Sequence, residues 1–211
     1  MSYKINFYTS SWEFKEEISL NEDMFNDANI NNILLHEFIV LQMANARVPR
    51  ADTQVRSEVR CSWKKLYRQK WTWRARVWSA DSWIRKWGWV YFWPKKEVNY
   101  KKDMPKKKRK KAVKAALSLK AREWNIFGLS EFWAENVSTK HANGILKKLS
   151  LDNNKVLLVL NEDDTLEKLS FRNIENVKYV NSSYINPYDL LTHEIVLFYW
   201  TSLQNVEKVF A

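Results

Sequence analysis

Glycine is nearly missing: the chain of 211 residues has three, where average usage of about 7% would supply roughly 15. Neither G-x-G-x-x-G nor G-x-x-x-x-G-K-[ST] occurs, which removes the usual phosphate-cradling loops and with them the common nucleotide-using enzymes. One cysteine, Cys61, leaves no disulfide framework and no cysteine-based zinc site, and points to a reducing compartment. Three histidines, His36, His141 and His193, fall in separate predicted elements without metal-ligand spacing. No run approaches 18 apolar residues, and the N-terminal MSYKINFYTSSWEF lacks an apolar h-region, so neither a membrane span nor secretion is expected.

What the chain has in excess is tryptophan and positive charge. Twelve Trp residues and a formal net charge of +11 favour a polyanionic partner. Both are concentrated in one stretch. From Asn45 to Lys111 there are 22 Lys/Arg against five Asp/Glu, whereas the rest of the chain is net acidic. Between Tyr67 and Pro94 the text reads YRQKWTWRARVWSADSWIRKWGWVYFWP, seven of whose 28 residues are Trp. Their spacing follows neither the helical nor the strand period. Residues 46–103 are therefore expected to form an extended arm interrupting a globular body made of 1–45 and 104–211. An irregular insertion of that length is usually functional.

The flanks predict an α/β fold with a mostly parallel sheet flanked by helices in three Rossmann-like layers. YKINFYT and EFKEEISL read as a hairpin turning at Ser10–Trp12. Ile33 to Ala46 reads as a helix with Ile33, Leu34, Phe38, Leu41 and Asn45 on one face. Pro105 opens a second helix with an apolar stripe at Val113, Ala116, Leu117 and Lys120. NIFGL, KVLLVL, VKYV and EIVLFY are strands. Helices are expected from Ser138 through Leu149, around Pro187–Leu191 and from about Ser202.

Catalytic signals are thin. Glu162, Asp163 and Asp164 follow a strand where α/β enzymes often place working carboxylates, but a solvated acidic turn explains them as well. The run PKKKRKK, Pro105–Lys111, has the form of a nuclear-import patch or of a helix start facing phosphates. Trp interleaved with Arg could stack bases while guanidinium groups hold phosphates, as in single-strand binders. That reading, a free single-stranded nucleic-acid-binding protein, stands as an alternative.

The residues from Leu35 through Pro94 resemble the bacterial large-subunit ribosomal protein four family. LHEFIVLQMANAR is similar to that family's first helix and its closing Ala-Asn-Ala-Arg, and TQVRSEV to its Thr-x-x-Arg-x-Glu-Val. KKLYRQKWTWRARVWS resembles a signature containing Gln-Lys-Gly-Thr-Gly-Arg-Ala-Arg, and WGWVYFWP resembles Gly-Gly-Gly-Val-x-Phe-Gly-Pro. A weaker likeness continues through AREWNIFGL, LDNNKVLLVL, LSFRNIENVKYV and NPYDLL. Asp81, Trp83, Cys61, Ser62 and Leu66 depart from the pattern.

In this alignment Trp63, Trp71, Trp73, Trp78, Trp87, Trp89 and Trp93 stand where the family has glycine, and Trp12 stands at a turn that favours it. The expectation is that UGA codons, read as glycine in some genetic codes, are written here as tryptophan. By resemblance the protein is a cytoplasmic, non-enzymatic constituent of the large ribosomal subunit with no cofactor and no small-molecule substrate. Its partners would be large-subunit ribosomal RNA and neighbouring proteins, among them large-subunit protein twenty-two at the nascent-peptide exit tunnel. The expected RNA contacts are Arg47, Arg50, Arg56, Lys64, Lys65, Arg68, Gln69, Lys70, Thr72, Arg74, Arg76, Arg85, Lys86 and Lys95.

Overall fold

Alternation of side chains along two short apolar strands sets the architecture. In β4 (Val156–Leu160) and β6 (Ile195–Tyr199), successive residues enter two separate hydrophobic clusters. Leu157, Val159, Val196 and Phe198 belong to one; Val156, Leu158, Leu160, Ile195 and Leu197 belong to the other. A strand buried on both faces needs helices on both, so the sheet forms the middle of three layers. The computed structural model describes residues 3–11, 13–130, 132 and 136–210.

The other strands are β1 (Lys4–Tyr8), β2 (Phe14–Ser19), β3 (Ile126–Leu129) and β5 (Val177–Asn181), and the order across the sheet is β2-β1-β3-β6-β4-β5. Only β2 runs antiparallel, as the hairpin partner of β1. Trp12, at the predicted hairpin turn, lies outside the described residues. Helices α1 (Asn32–Ala46), α2 (Lys106–Arg122), α3 (Thr139–Lys148), α4 (Thr165–Phe171), α5 (Pro187–Thr192) and α6 (Trp200–Phe210) complete the set. No helix among the described residues is long and apolar enough to cross a membrane.

The first cluster joins the sheet to α2 and α6 through Val113, Ala116, Leu117, Leu203 and Val206; the second joins it to α3 through Ala142, Ile145 and Leu146. Caps explain where several helices start. Ser138 Oγ accepts the His141 N–H at the head of α3, and Asn186 Oδ1 accepts the Tyr188 N–H ahead of Pro187 in α5. Lys120, on the apolar stripe of α2, is buried; its ammonium reaches out to donate to the Glu194 carbonyl at 3.1 Å. That burial pulls the Lys120 pKa below the usual lysine value. Gly128 in β3 is held to glycine by packing, since a Cβ there would lie 2.4 Å from the Phe7 ring.

Three details differ from the sequence reading. On α1 the buried residue is Leu35, while Ile33 is 74% exposed. The helix is apolar almost all round, so periodicity could not select its inner face. α4 gives no clear periodic signal, because it has seven residues and leaves Leu166 and Leu169 exposed. α6 begins at Trp200, directly on the end of β6, rather than near Ser202.

The chain divides into two compact units, Met1–Gln42 with Asp103–Ala211, and Met43–Lys102. The sheet lies wholly in the first. Truncating Leu158, which is fully buried at the sheet centre, should cost about 2–5 kcal/mol. Urea titration of Leu158→Ala should show a lower midpoint with an unchanged slope.

Candidate nucleic-acid interface

Met43–Lys102 carries 16 Lys/Arg and four Asp/Glu. Between Ala46 and Lys106 the backbone makes turns and bends but no helix or strand among the described residues. What orders it is a set of side-chain and backbone links between residues far apart in sequence. Asn45 works as a clamp at the base: its amide donates to the Lys102 carbonyl at 3.1 Å, and its Oδ1 accepts the Lys102 N–H at 2.7 Å. The Arg47 guanidinium lies 4.1 Å from the Tyr100 ring centre. Further out, Lys95 bridges to Glu58 at 2.9 Å and to Asp52 at 3.7 Å. Near the far end the Leu66 N–H donates to the Trp78 carbonyl at 2.8 Å, and the Tyr67 hydroxyl donates to the Ala75 carbonyl.

A second knot forms around Asp81, which is buried and accepts from the Ser79 hydroxyl. Its carbonyl accepts the Trp89 N–H, while the Gly88 N–H donates to the Arg85 carbonyl. Gly88 is confined here, because a Cβ would sit 1.9 Å from the Ser82 carbonyl oxygen. Half-buried Cys61 has its thiol pKa raised by burial and by the nearby Asp81 charge. Trp63, Trp89, Trp93, Tyr91 and Val55 line a cavity of about 620 Å³, so some of the aromatic side chains do gather. Trp71, Trp73 and Trp87 do not: they are 82%, 99% and 92% exposed.

These links consume little of the positive charge. Asp81 is buried, while Asp52 and Glu58 are held by Lys95 and Lys96. Apart from those two lysines, no Lys or Arg of the unit has an ion-pair partner among the described residues. Of the residues expected to contact RNA, Arg47, Arg50, Arg56, Lys64, Arg68, Gln69, Lys70, Arg74, Arg76, Arg85 and Lys86 are exposed; Lys65, Thr72 and Lys95 are half-buried. Lys65 is held along the surface, donating to Gln69 at 2.6 Å and lying 4.8 Å from the Trp78 ring. Lys95 is committed to carboxylates and serves as a strut. Exposed Arg60, Lys101 and Lys102 belong to the same basic surface and were passed over by motif matching. A plain charge count would have found them.

Outside this unit the start of α2 is also basic. Lys106 to Lys111 are all exposed; Lys108 pairs with Glu37 and Arg109 with Asp103, leaving Lys106, Lys107, Lys110 and Lys111 without carboxylate partners among the described residues. The crevice beyond the strand ends, where α/β enzymes bind ligands, holds a polar knot. Asn161 takes bonds from Ser182 and Asn205 and donates to Thr201. Asp164 accepts the Asn161 N–H at 2.8 Å, and Lys168 donates to the Glu162 carbonyl, so this acidic turn is tied back on itself ahead of α4. The three histidines lie apart, in α1, in α3 and just after α5. No group of three or more His, Cys, Asp or Glu among the described residues could hold a metal ion.

The α/β unit and the irregular basic segment are two distinct parts of one chain. Likeness to known proteins supplies the family. Residues 18–209 match the model of the ribosomal protein L4/L1 family. The chain is 34% identical over 207 residues to the large ribosomal subunit protein uL4 of Pelotomaculum thermopropionicum, covering 98% of both. It is 35% identical over 210 residues to that of Caldicellulosiruptor saccharolyticus, covering 99% of both, and 34% identical over 207 residues to that of Finegoldia magna, covering 98% and 99%. The chain belongs to the ribosomal protein L4/L1 family.

The Lys95 strut carries a pH prediction. The Glu58 pKa is lowered by the Val55 N–H and by Lys95, and the Lys95 pKa is raised by Glu58. The strut is therefore intact at neutral pH and fails as pH falls through the lowered carboxylate value. Limited proteolysis between residues 58 and 95 should accelerate on acidification, and Glu58→Gln should be cut as fast at pH 7 as the unsubstituted protein is in acid.

Proposed function

We propose that this protein is a structural, non-enzymatic constituent of the large ribosomal subunit, and that Met43–Lys102 is its principal ribosomal RNA contact. The observation that carries the proposal is the uncompensated charge: 16 cationic side chains on a segment with four carboxylates, three of them already engaged. Isolated, that density of like charge repels itself; against phosphates it is neutralised and releases counterions. Contacts scattered along an irregular backbone suit RNA recognised by shape and phosphate position rather than by base edges. The four unpaired lysines of Lys106–Lys111 give α2 a cationic surface of its own for the same partner.

The relatives are named as large-subunit proteins. By that similarity the segment is the arm that reaches the nascent-peptide exit tunnel, with Gln69–Arg74 nearest its tip and large-subunit protein twenty-two as a neighbour. The ribosome in the cytoplasm is then its location. The exposure of Trp71, Trp73 and Trp87 favours one other reading, a free single-strand binder that stacks bases on indoles.

The test is binding to large subunits depleted of this protein, measured by co-sedimentation across a salt series. Log affinity should fall linearly with log salt, by about 0.9 per phosphate neutralised on duplex RNA and about 0.7 on single strands. Arg74→Ala should lower that slope by about 1. Binding to free single strands that matches binding to subunits, with quenched Trp fluorescence, would replace the ribosomal reading with the stacking one.

A further inference from the structure

Six residues other than glycine adopt a positive φ among the described residues, and four of them are tryptophan: Trp71 at 67°, Trp73 at 54°, Trp87 at 67° and Trp124 at 58°. For a bulky L-residue this left-handed conformation is a genuine outlier, because Cβ crowds the following carbonyl. Packing could offset the strain, but these side chains reach solvent. Trp124 is 69% exposed, and the three others are more exposed still.

Trp124 is the informative member, because it lies in the α/β unit, well away in sequence from the basic segment. It follows Glu123, the residue that caps α2. The Trp124 N–H donates to the Ala121 carbonyl, and the Asn125 N–H to the Lys120 carbonyl. That pair of bonds is the Schellman closure, whose C′ position is usually glycine. The same closure ends α3, where small Ser150 takes the left-handed position with φ 56°. A large indole at C′ of α2 brings steric cost and no buried contact. Trp200 gives the contrast: it opens α6 without a positive φ, and its ring lies 5.0 Å from Phe7, edge-on, against the core.

We infer that residues 71, 73, 87 and 124 are glycine in the polypeptide the source cell makes, that residue 200 is tryptophan, and that the gene is read with UGA as a glycine codon. Backbone conformation and the tryptophan letter together select these four positions; Phe92, at 49° and 99% exposed, shares the conformation without the letter. Trp63, Trp78, Trp89 and Trp93 have no positive φ, and their assignment to glycine rests on family resemblance only. The translation apparatus must then hold a glycine-charged tRNA whose anticodon pairs with UGA. This inference is independent of RNA binding, since Trp124 lies outside the proposed contact surface.

Two measurements test it. Peptide mass mapping of the protein isolated from its source cells should return glycine at 71, 73, 87 and 124 and tryptophan at 200; a tryptophan mass at 124 overturns the inference. The physical premise is tested separately on recombinant protein with the letters as written. Trp124→Gly should raise the melting midpoint by about 2–4 °C, whereas an unchanged or lower midpoint would remove the backbone argument.

Discussion

Uncompensated positive charge is the constraint on which the rest depends. In Met43–Lys102 three of the four carboxylates are buried or paired with Lys95 and Lys96, and most of the remaining cations face outward. Its large apolar side chains, Trp71, Trp73, Trp87 and Phe92 among them, stay mostly exposed instead of forming a closed core. The segment is tied together by polar links at Asn45, Arg47, Glu58 and Leu66. Such links order an irregular path while most of its cations stay at the surface.

The other unit solves the opposite problem. Its central strands bury every residue of Val156–Leu160, and helices cover both faces. At the ends of β4, β5 and β6, hydrogen bonds from Ser182 and Asn205 and to Thr201 converge on Asn161. One chain thus combines a dry, conventionally packed unit with a strongly basic, irregular one, and it belongs to the ribosomal protein L4/L1 family.

Local signals made much of this legible. Short apolar runs marked β3, β4 and β6, the N-terminal pair marked the β1–β2 hairpin, and lost periodicity together with a jump in charge marked the segment after α1. Long-range facts were not legible. That β6 inserts between β3 and β4 depends on crossovers, and that Lys95 is tied to Glu58 depends on residues 37 positions apart. The cations were identifiable by type, but which of them are held by neighbouring side chains required the fold, as Lys65 shows. Trp124 escaped motif comparison because its significance depends on where α2 stops.

The Asn45 amide has a consequence for how such chains can vary. It fastens Lys102 with two hydrogen bonds, so the two ends of Met43–Lys102 are tied together by one short side chain. Since the entropy of closing a loop grows only slowly with its length, residues can be gained or lost between those ends with little penalty to the three-layer body. The segment can therefore lengthen or shorten while the sheet keeps its register.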